Sequence, residues 1–278
     1  MTRDDFRKIA EETVDILNEG GYLSPSNNIV DLNRHIGRCV DHTKLYLPDE
    51  LQGMLYKVKK NNKNRTCTIE VCNETTLAGA KRLSDLGLRT AALNFASARY
   101  PGGGFLWGAL AQEESIARSS AIYASLLEKK EDFYDFHNSI EQKGNRMYSD
   151  RMIYSPCCPV FRDDEGKLLE EIYGVDFITS PAPNVSGGMD QTERDSLEGI
   201  LRQRIQYILA LAATYNCKAL VLGAWGCGVF GNDKDQVARI FAECLDKLKG
   251  NFYKVCFSIS DEENTVIPIF EKYLVKKN

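Results

Sequence analysis

The sequence predicts an α/β domain, a mainly parallel sheet covered by helices on both faces, with a helical extension at its N-terminus. Three observations point to it. Short apolar or β-branched runs alternate with amphipathic stretches from Cys67 onward, two of the loops that follow such runs are rich in glycine, and no linker or internal repeat divides the chain. With 278 residues, 43% of them hydrophobic, 27% charged and only eight prolines, the composition is that of a globular protein folded throughout.

Residues 4–17 set Phe6, Ile9, Ala10, Val14, Ile16 and Leu17 at helical spacing and stop at Gly20-Gly21, which marks a helix. Between residues 22 and 66 the pattern predicts one helix, Pro48 to Lys59, followed by a basic, Asn-rich turn from Lys59 to Arg65. Strands are expected at 67–72, 90–95, 152–155, 176–180, 218–222 and 253–258. Helices are expected at 75–86, 113–127, 192–215, 233–248 and 266–274. Residues 1–66 are thereby an accessory helical region packed on a core of residues 67–278, itself a single compact unit.

Composition excludes several classes of function. The first residues, Met1-Thr2-Arg3-Asp4-Asp5, are charged and lead into no apolar stretch that could serve as a signal or span a bilayer, so a cytoplasmic protein without membrane attachment is expected. Nine cysteines, an odd number scattered through apolar runs, read as reduced and mostly buried thiols. Cys157-Cys158 lacks the spacer of a redox or zinc motif, and His35, His42 and His137 stand near no matching cluster, so no metal is expected. The net charge of −4 leaves no excess of cations to coat an extended phosphate backbone. A compact phosphate ligand remains open, because helix N-termini bind phosphate through backbone N–H groups.

In open α/β sheets ligands gather at the carboxyl ends of strands. The loop after the strand ending at Phe95 carries Gly102-Gly103-Gly104 and, seven residues later, Gln112-Glu113-Glu114 at the start of a helix. Three consecutive glycines cost conformational entropy and add nothing to a core, and a ligand pressed against that backbone explains them. A lone Glu-Glu pair reads as an acidic first helical turn; beside the triple glycine it reads as a site. The loop after residues 218–222 runs Gly223-Ala224-Trp225-Gly226-Cys227-Gly228-Val229-Phe230-Gly231-Asn232 into another helix. Gly226, Gly228 and Gly231 match G-x-G-x-x-G, but the loop lies late in the chain and the position 20 residues beyond Gly231 is Asn251 rather than an acidic strand tip, so a dinucleotide fold is rejected. Small residues before a helix N-terminus remain suited to a diphosphate. Phe230, large and apolar in that loop, is either a core anchor or a ring stacked on a ligand. Cys227 is read as a small residue there rather than a reactive thiol.

Together these two loops resemble the microbial-type poly(ADP-ribose) glycohydrolases, whose defining motif is G-G-G, six to eight residues, then Q-E-E. The approach Asn94 to Pro101 and the loop Gly223 to Asn232 are also similar to that family, and the resemblance runs from the first helix to the last. It implies a macrodomain-like three-layer α/β/α core with a mixed sheet. Glu114 would be the catalytic acid/base, and Glu113 would place the sugar. Asn94, Ser97, Gly102, Gly103, Gly104 and Gln112 would contact substrate on one side, and Gly226, Cys227, Gly228, Val229, Phe230 and Gly231 would hold the diphosphate and distal ribose on the other. Glu74, after an early strand, is the acidic residue expected at the adenine.

Cleaving a ribose glycosidic bond passes through an oxocarbenium-like state and needs an acid for the leaving oxygen and a base for water. Adjacent glutamates cannot straddle a sugar ring, so both proton transfers fall to Glu114 in succession. The resemblance implies poly(ADP-ribose) or ADP-ribosylated protein as the partner and ADP-ribose as the product, with no cofactor. Because the chain is acidic and its dense basic stretch, Lys57 to Arg65, is far in sequence from both loops, exo cleavage is expected. Two rival readings remain: a macrodomain reader that binds ADP-ribose without cutting it, which would need no glutamates, and a mono-ADP-ribosyl hydrolase acting on protein or nucleic acid.

Overall fold

The computed structural model of the chain describes residues 1–61 and 65–275. The first part holds α1 (Arg3–Glu19), β1 (Gly21–Leu23), β2 (Ile29–Asp31), α2 (Asn33–Asp41), β3 (Lys44–Tyr46) and α3 (Pro48–Lys60). Next come β4 (Thr68–Cys72), α4 (Thr76–Asp85), β5 (Thr90–Phe95), α5 (Gln112–Ser119), α6 (Ile122–Leu127) and a single turn, α7 (Phe136–Asn138). Then follow β6 (Met152–Arg162), β7 (Leu168–Ser180), α8 (Gln191–Thr214), β8 (Ala219–Leu222), α9 (Lys234–Leu248), β9 (Lys254–Ser258) and α10 (Ile267–Leu274).

Seven strands form one sheet in the order β3-β6-β7-β5-β8-β9-β4. Neighbours from β7 to β4 pair in parallel, while β6 is antiparallel to both β7 and β3. The sheet is therefore mixed, as the resemblance implied. Its central strands are buried on both faces, and the period of two sends alternate residues into two cores. Leu93, Leu220, Leu222, Val255 and Phe257 join α3, α8, α9 and α10 on one face. Ala92, Ala219, Val221 and Cys256 join α1, α4, α5 and α6 on the other. Helices α4 and α9, which follow the carboxyl ends of β4 and β8, begin with side-chain caps: Thr75 Oγ1 accepts from Ala78 N at 3.0 Å and Asp233 Oδ1 from Gln236 N at 2.8 Å.

Four features differ from expectation. Within the region expected to be helical, residues 44–46 form β3, an edge strand of the main sheet, and α3 packs with α8. The ribbon β1–β2 and helix α2 were not foreseen; the two strands, at three residues each, are too short to show a period. Strands β6 and β7 extend well past the short runs expected for them; Pro156 and Pro159 disguise the pattern and are accommodated around a bulge between Ser155 and Cys158. The helix expected over 113–127 is broken, because Ser120 is extended and bridges to Val160 while Ala121 N donates to Pro159 O at 3.0 Å.

Candidate active site

The carboxyl ends of β5, β8, β9 and β4 surround a cavity of about 650 Å³ whose wall includes Glu113, Glu114 and the loop Gly226–Phe230. The two expected loops are thus brought together. At the foot of α5, Gln112 acts as a staple: its Oε1 accepts from Phe95 N at 2.9 Å, and its Nε2 donates to Leu93 O at 2.7 Å and Thr76 Oγ1 at 3.0 Å. Both amide hydrogens are taken, so Gln112, which also lines the cavity, fixes the first turn of α5 to the end of β5.

That staple sets the two glutamates into different surroundings. Glu113 is 3% exposed. Its Oε2 accepts from Ser97 N at 2.6 Å and its Oε1 from Asn94 Nδ2 at 3.2 Å. Glu114 is 9% exposed, and its Oε1 accepts from Gly104 N at 2.8 Å. Its Oε2 is buried with no hydrogen-bond partner among the described residues. Glu113 is held at both ends, and Glu114 keeps one oxygen for a ligand.

The triple glycine accounts for this arrangement. Gly102, Gly103 and Gly104 do not line the cavity, and neither does the fully buried Asn94. A side chain on Gly103 would stand 3.0 Å from Glu113 Oε2 and run into Glu114 Oε1, and the residue has φ +62°. One on Gly102, at φ +69°, would press on Phe105 and Ala117. The bare backbone at Gly103 makes room for the two carboxylates.

The second loop is held by residues on either side. Trp225, which attracted no notice in the sequence, is its buried anchor, with Nε1 donating to Ser180 O at 3.0 Å. Asn232 Nδ2 donates to Pro183 O at 2.7 Å and Gly226 O at 3.0 Å. Phe230 is half-buried on the cavity wall, its ring tilted against Tyr148 at 6.1 Å. Among the described residues, the N–H groups of Gly228, Val229 and Phe230 find no protein acceptor, and Gly228 faces open space. These free N–H groups stand in the loop ahead of the N-terminus of α9, a setting in which backbone N–H groups can bind an anion. Burial pushes the Cys227 thiol up to about 12, so it contributes bulk rather than a thiolate.

Glu74 is not at the cavity. Its carboxylate accepts from Arg82 at 2.7 Å and from Ser258 Oγ at 3.0 Å, and although burial works against the charge, these partners hold it below the usual carboxylate range. Thr75, Thr76, Leu77, Ser260 and Lys234 do line it, and the sequence singled out none of them. They follow the carboxyl ends of β4, β8 and β9, so the rule that located the glycine loops would have located them too. Glu70, Cys72 and Cys256 have potential metal-binding atoms within 4.8 Å of one another. Glu70 is paired there with Arg82 at 2.8 Å and Lys254 at 3.0 Å, so cations of the protein already occupy its carboxylate.

A buried carboxylate with one oxygen fixed and the other unpartnered, facing a loop of free N–H groups, suits proton transfer to a phosphorylated sugar. The family profile described as microbial-type PARG, catalytic domain, matches residues 10–163. The chain belongs to the microbial-type poly(ADP-ribose) glycohydrolase family. No curated protein matches it. Among solved structures it is similar to the poly(ADP-ribose) glycohydrolase (PARG) from Thermomonospora curvata, at 45% identity and TM-score 0.92 over 98% of this chain and 100% of that one. The T. curvata enzyme bound to the inhibitor ADP-HPD superposes with TM-score 0.88 at 45% identity, covering 97% and 99% of the two chains. PARG from Deinococcus radiodurans in complex with ADP-ribose matches at 38% identity and TM-score 0.80 over 86% of this chain and 97% of that one. The macrodomain-like fold of the family is thus the fold of this chain.

In this PARG, burial pushes the Glu113 carboxyl up to about 8; the N–H of Ser97 opposes the shift, the charge of Glu114 adds to it, and the Asn94 amide opposes it. A carboxyl raised in the folded state keeps a proton that the unfolded chain releases near 4.5, so its stabilising share is complete below that pH and is lost as pH rises through about 8. Between pH 5.5 and 8.5 the wild type should lose on the order of 3 kcal/mol more unfolding free energy than Glu113→Gln. Urea melts of the two proteins at both pH values measure it, and equal losses would place the Glu113 proton elsewhere.

Proposed function

We propose that the chain carries out the hydrolysis characteristic of its family, opening the ribose–ribose glycosidic bond of poly(ADP-ribose), with Glu114 as acid and then base and the terminal unit as substrate. The observation that carries this reading is the contrast between the two glutamates. Glu114 Oε2 alone of their four oxygens lacks a partner, and a buried carboxylate oxygen without one is costly unless a ligand supplies it. The diphosphate rests on the N–H groups of Gly228, Val229 and Phe230, and the distal ribose lies between Phe230 and the glutamates. Glu114 gives its proton to the leaving oxygen as the bond opens, then takes one from the water that attacks the sugar, and ADP-ribose is released. The scheme calls on no cofactor or metal. A reader would have no use for the unpartnered carboxylate oxygen. Nine free cysteines suit the reducing cytosol, and no helix among the described residues is long and apolar enough to cross a membrane.

Terminal cleavage is supported by the position of the basic stretch. Lys59 Nζ donates to Gln206 of α8 at 3.1 Å, and the Arg65 guanidinium lies 5.0 Å over the Tyr253 ring, just before β9. That is the amino edge of the parallel strands, opposite the cavity; residues 62–64 of the stretch lie outside the described residues. Backbone N–H groups for one diphosphate remain, without a basic track for the units on either side.

Glu114→Gln should keep ADP-ribose affinity within a few-fold and lose at least ~10²-fold in turnover, the usual scale for a general acid/base; near-normal turnover would remove Glu114 from the mechanism. With the wild type, early products resolved by size should be ADP-ribose from the first time point. Oligomers accumulating ahead of it would show internal cleavage, and release of ADP-ribose from mono-modified protein alone would favour the mono-ADP-ribosyl hydrolase.

A further inference from the structure

The loop that carries the glycines also exposes two large aromatic rings. Tyr100 is 54% exposed and Trp107 56% exposed, and they meet edge to face with centroids 5.8 Å apart. A carbon built on Gly104 would meet the Ala109 methyl at 3.0 Å and stand 3.7 Å from Glu114 Oε1 and 3.8 Å from Trp107 Cε3, so the indole and the carboxylate both lie close to Gly104. Neither ring lines the cavity that takes the terminal unit. Trp107 stands by Gly104, whose N–H binds Glu114 Oε1.

The rings are also held in place. Trp107 closes a 3-10 turn, Phe105–Trp107, whose carbonyl at Trp107 accepts from Arg3 Nε at 2.9 Å. Gly108, at φ +73°, passes so close to the Arg3 backbone that no side chain fits there. Arg118 Nη1 donates to Ala109 O at 2.5 Å. Helix α1 thus props the aromatic turn from behind and leaves its outer face to solvent.

We propose that Trp107, with Tyr100 at its edge, stacks on the adenine of the departing unit and so forms the subsite for the leaving group. The inference rests on the hydrolase reading above. In glycoside cleavage the leaving oxygen comes within hydrogen-bond reach of the acid, and in this polymer that oxygen belongs to an adenosine. Its base must lie within a nucleoside's length of Glu114, on the side not filled by the terminal unit. The only large exposed rings the loop offers are there. Aromatic faces bind nucleobases without a charged track, which fits an acidic chain. Free ADP-ribose leaves this subsite empty, since it has no unit beyond its distal ribose.

Steady-state kinetics on short poly(ADP-ribose) oligomers, paired with the inhibition constant of ADP-ribose, test the assignment. In Trp107→Ala, KM for oligomers should rise about 10-fold or more, with kcat and the ADP-ribose inhibition constant within about 3-fold of wild type. Trp107→Phe should recover most of the loss. In a Glu114→Gln background, oligomers should quench the Trp107 fluorescence more than ADP-ribose does, leaving the buried Trp225 as the common background. An unchanged oligomer KM in Trp107→Ala overturns the subsite while the hydrolase stands. An equal rise in KM and in the ADP-ribose constant overturns it as well, by placing the ring on the terminal unit. Failure of the wild type to cut oligomers at all overturns the hydrolase reading and the subsite with it.

Discussion

Two adjacent carboxylates buried under one loop are the constraint on which this site depends. Removing a carboxylate from water is unfavourable unless donors replace the water, and a second carboxylate beside it makes the charge harder still to hold. The chain meets this with backbone. Ser97 N and Gly104 N each donate to one of the glutamates, and the Asn94 amide supplies a third contact. The loop can approach that closely only because Gly103 has no side chain to meet the two carboxylates. Donation to both oxygens of Glu113 and to only one of Glu114 sets two identical side chains apart, and the proposed division of roles rests on that difference.

Everything around the pair serves its alignment. Gln112 ties the first turn of α5 to β5, so the central strand of the sheet sets where the glutamates stand. The adjacent strand β8 leads into the second loop, and the buried Trp225 fixes that loop to the end of β7 through Ser180. Parallel pairing of β7, β5 and β8 therefore registers the acid against the anion site. The N-terminal helix contributes from the far side, where Arg3 braces the turn that ends at Trp107.

Much of this was legible in residue patterns, and the gaps have physical causes. The strands β4, β5, β8 and β9 and the long helices α8 and α9 announce themselves because burial on one or two faces imposes a period. The two loops stood out because runs of glycine are expensive and so need a reason. The reason itself was not legible: that Gly103 clears space for Glu114 depends on a contact between residues eleven apart whose geometry no spacing shows. The tie of Gln112 to Leu93 and Phe95 was not legible because it is tertiary. Trp225 was overlooked beside Phe230, although the more buried ring is the anchor. Glu74 was the right residue type in a plausible place, but its commitment to Arg82 on α4 removes it from the cavity. Short elements such as β1, β2 and β3 are stabilised by pairing alone and carry no pattern of their own.

The claim that the glycine loop exists to seat the glutamates is tested most directly by turnover in Gly103→Ala. The added methyl meets both carboxylates and sits at a backbone angle that alanine adopts with strain. Because Gly103 does not line the cavity, ADP-ribose affinity should stay within a few-fold and the protein should remain folded, while turnover falls at least ~10²-fold as Glu114 is displaced. A folded Gly103→Ala protein that binds ADP-ribose and turns over at the wild-type rate would contradict the account.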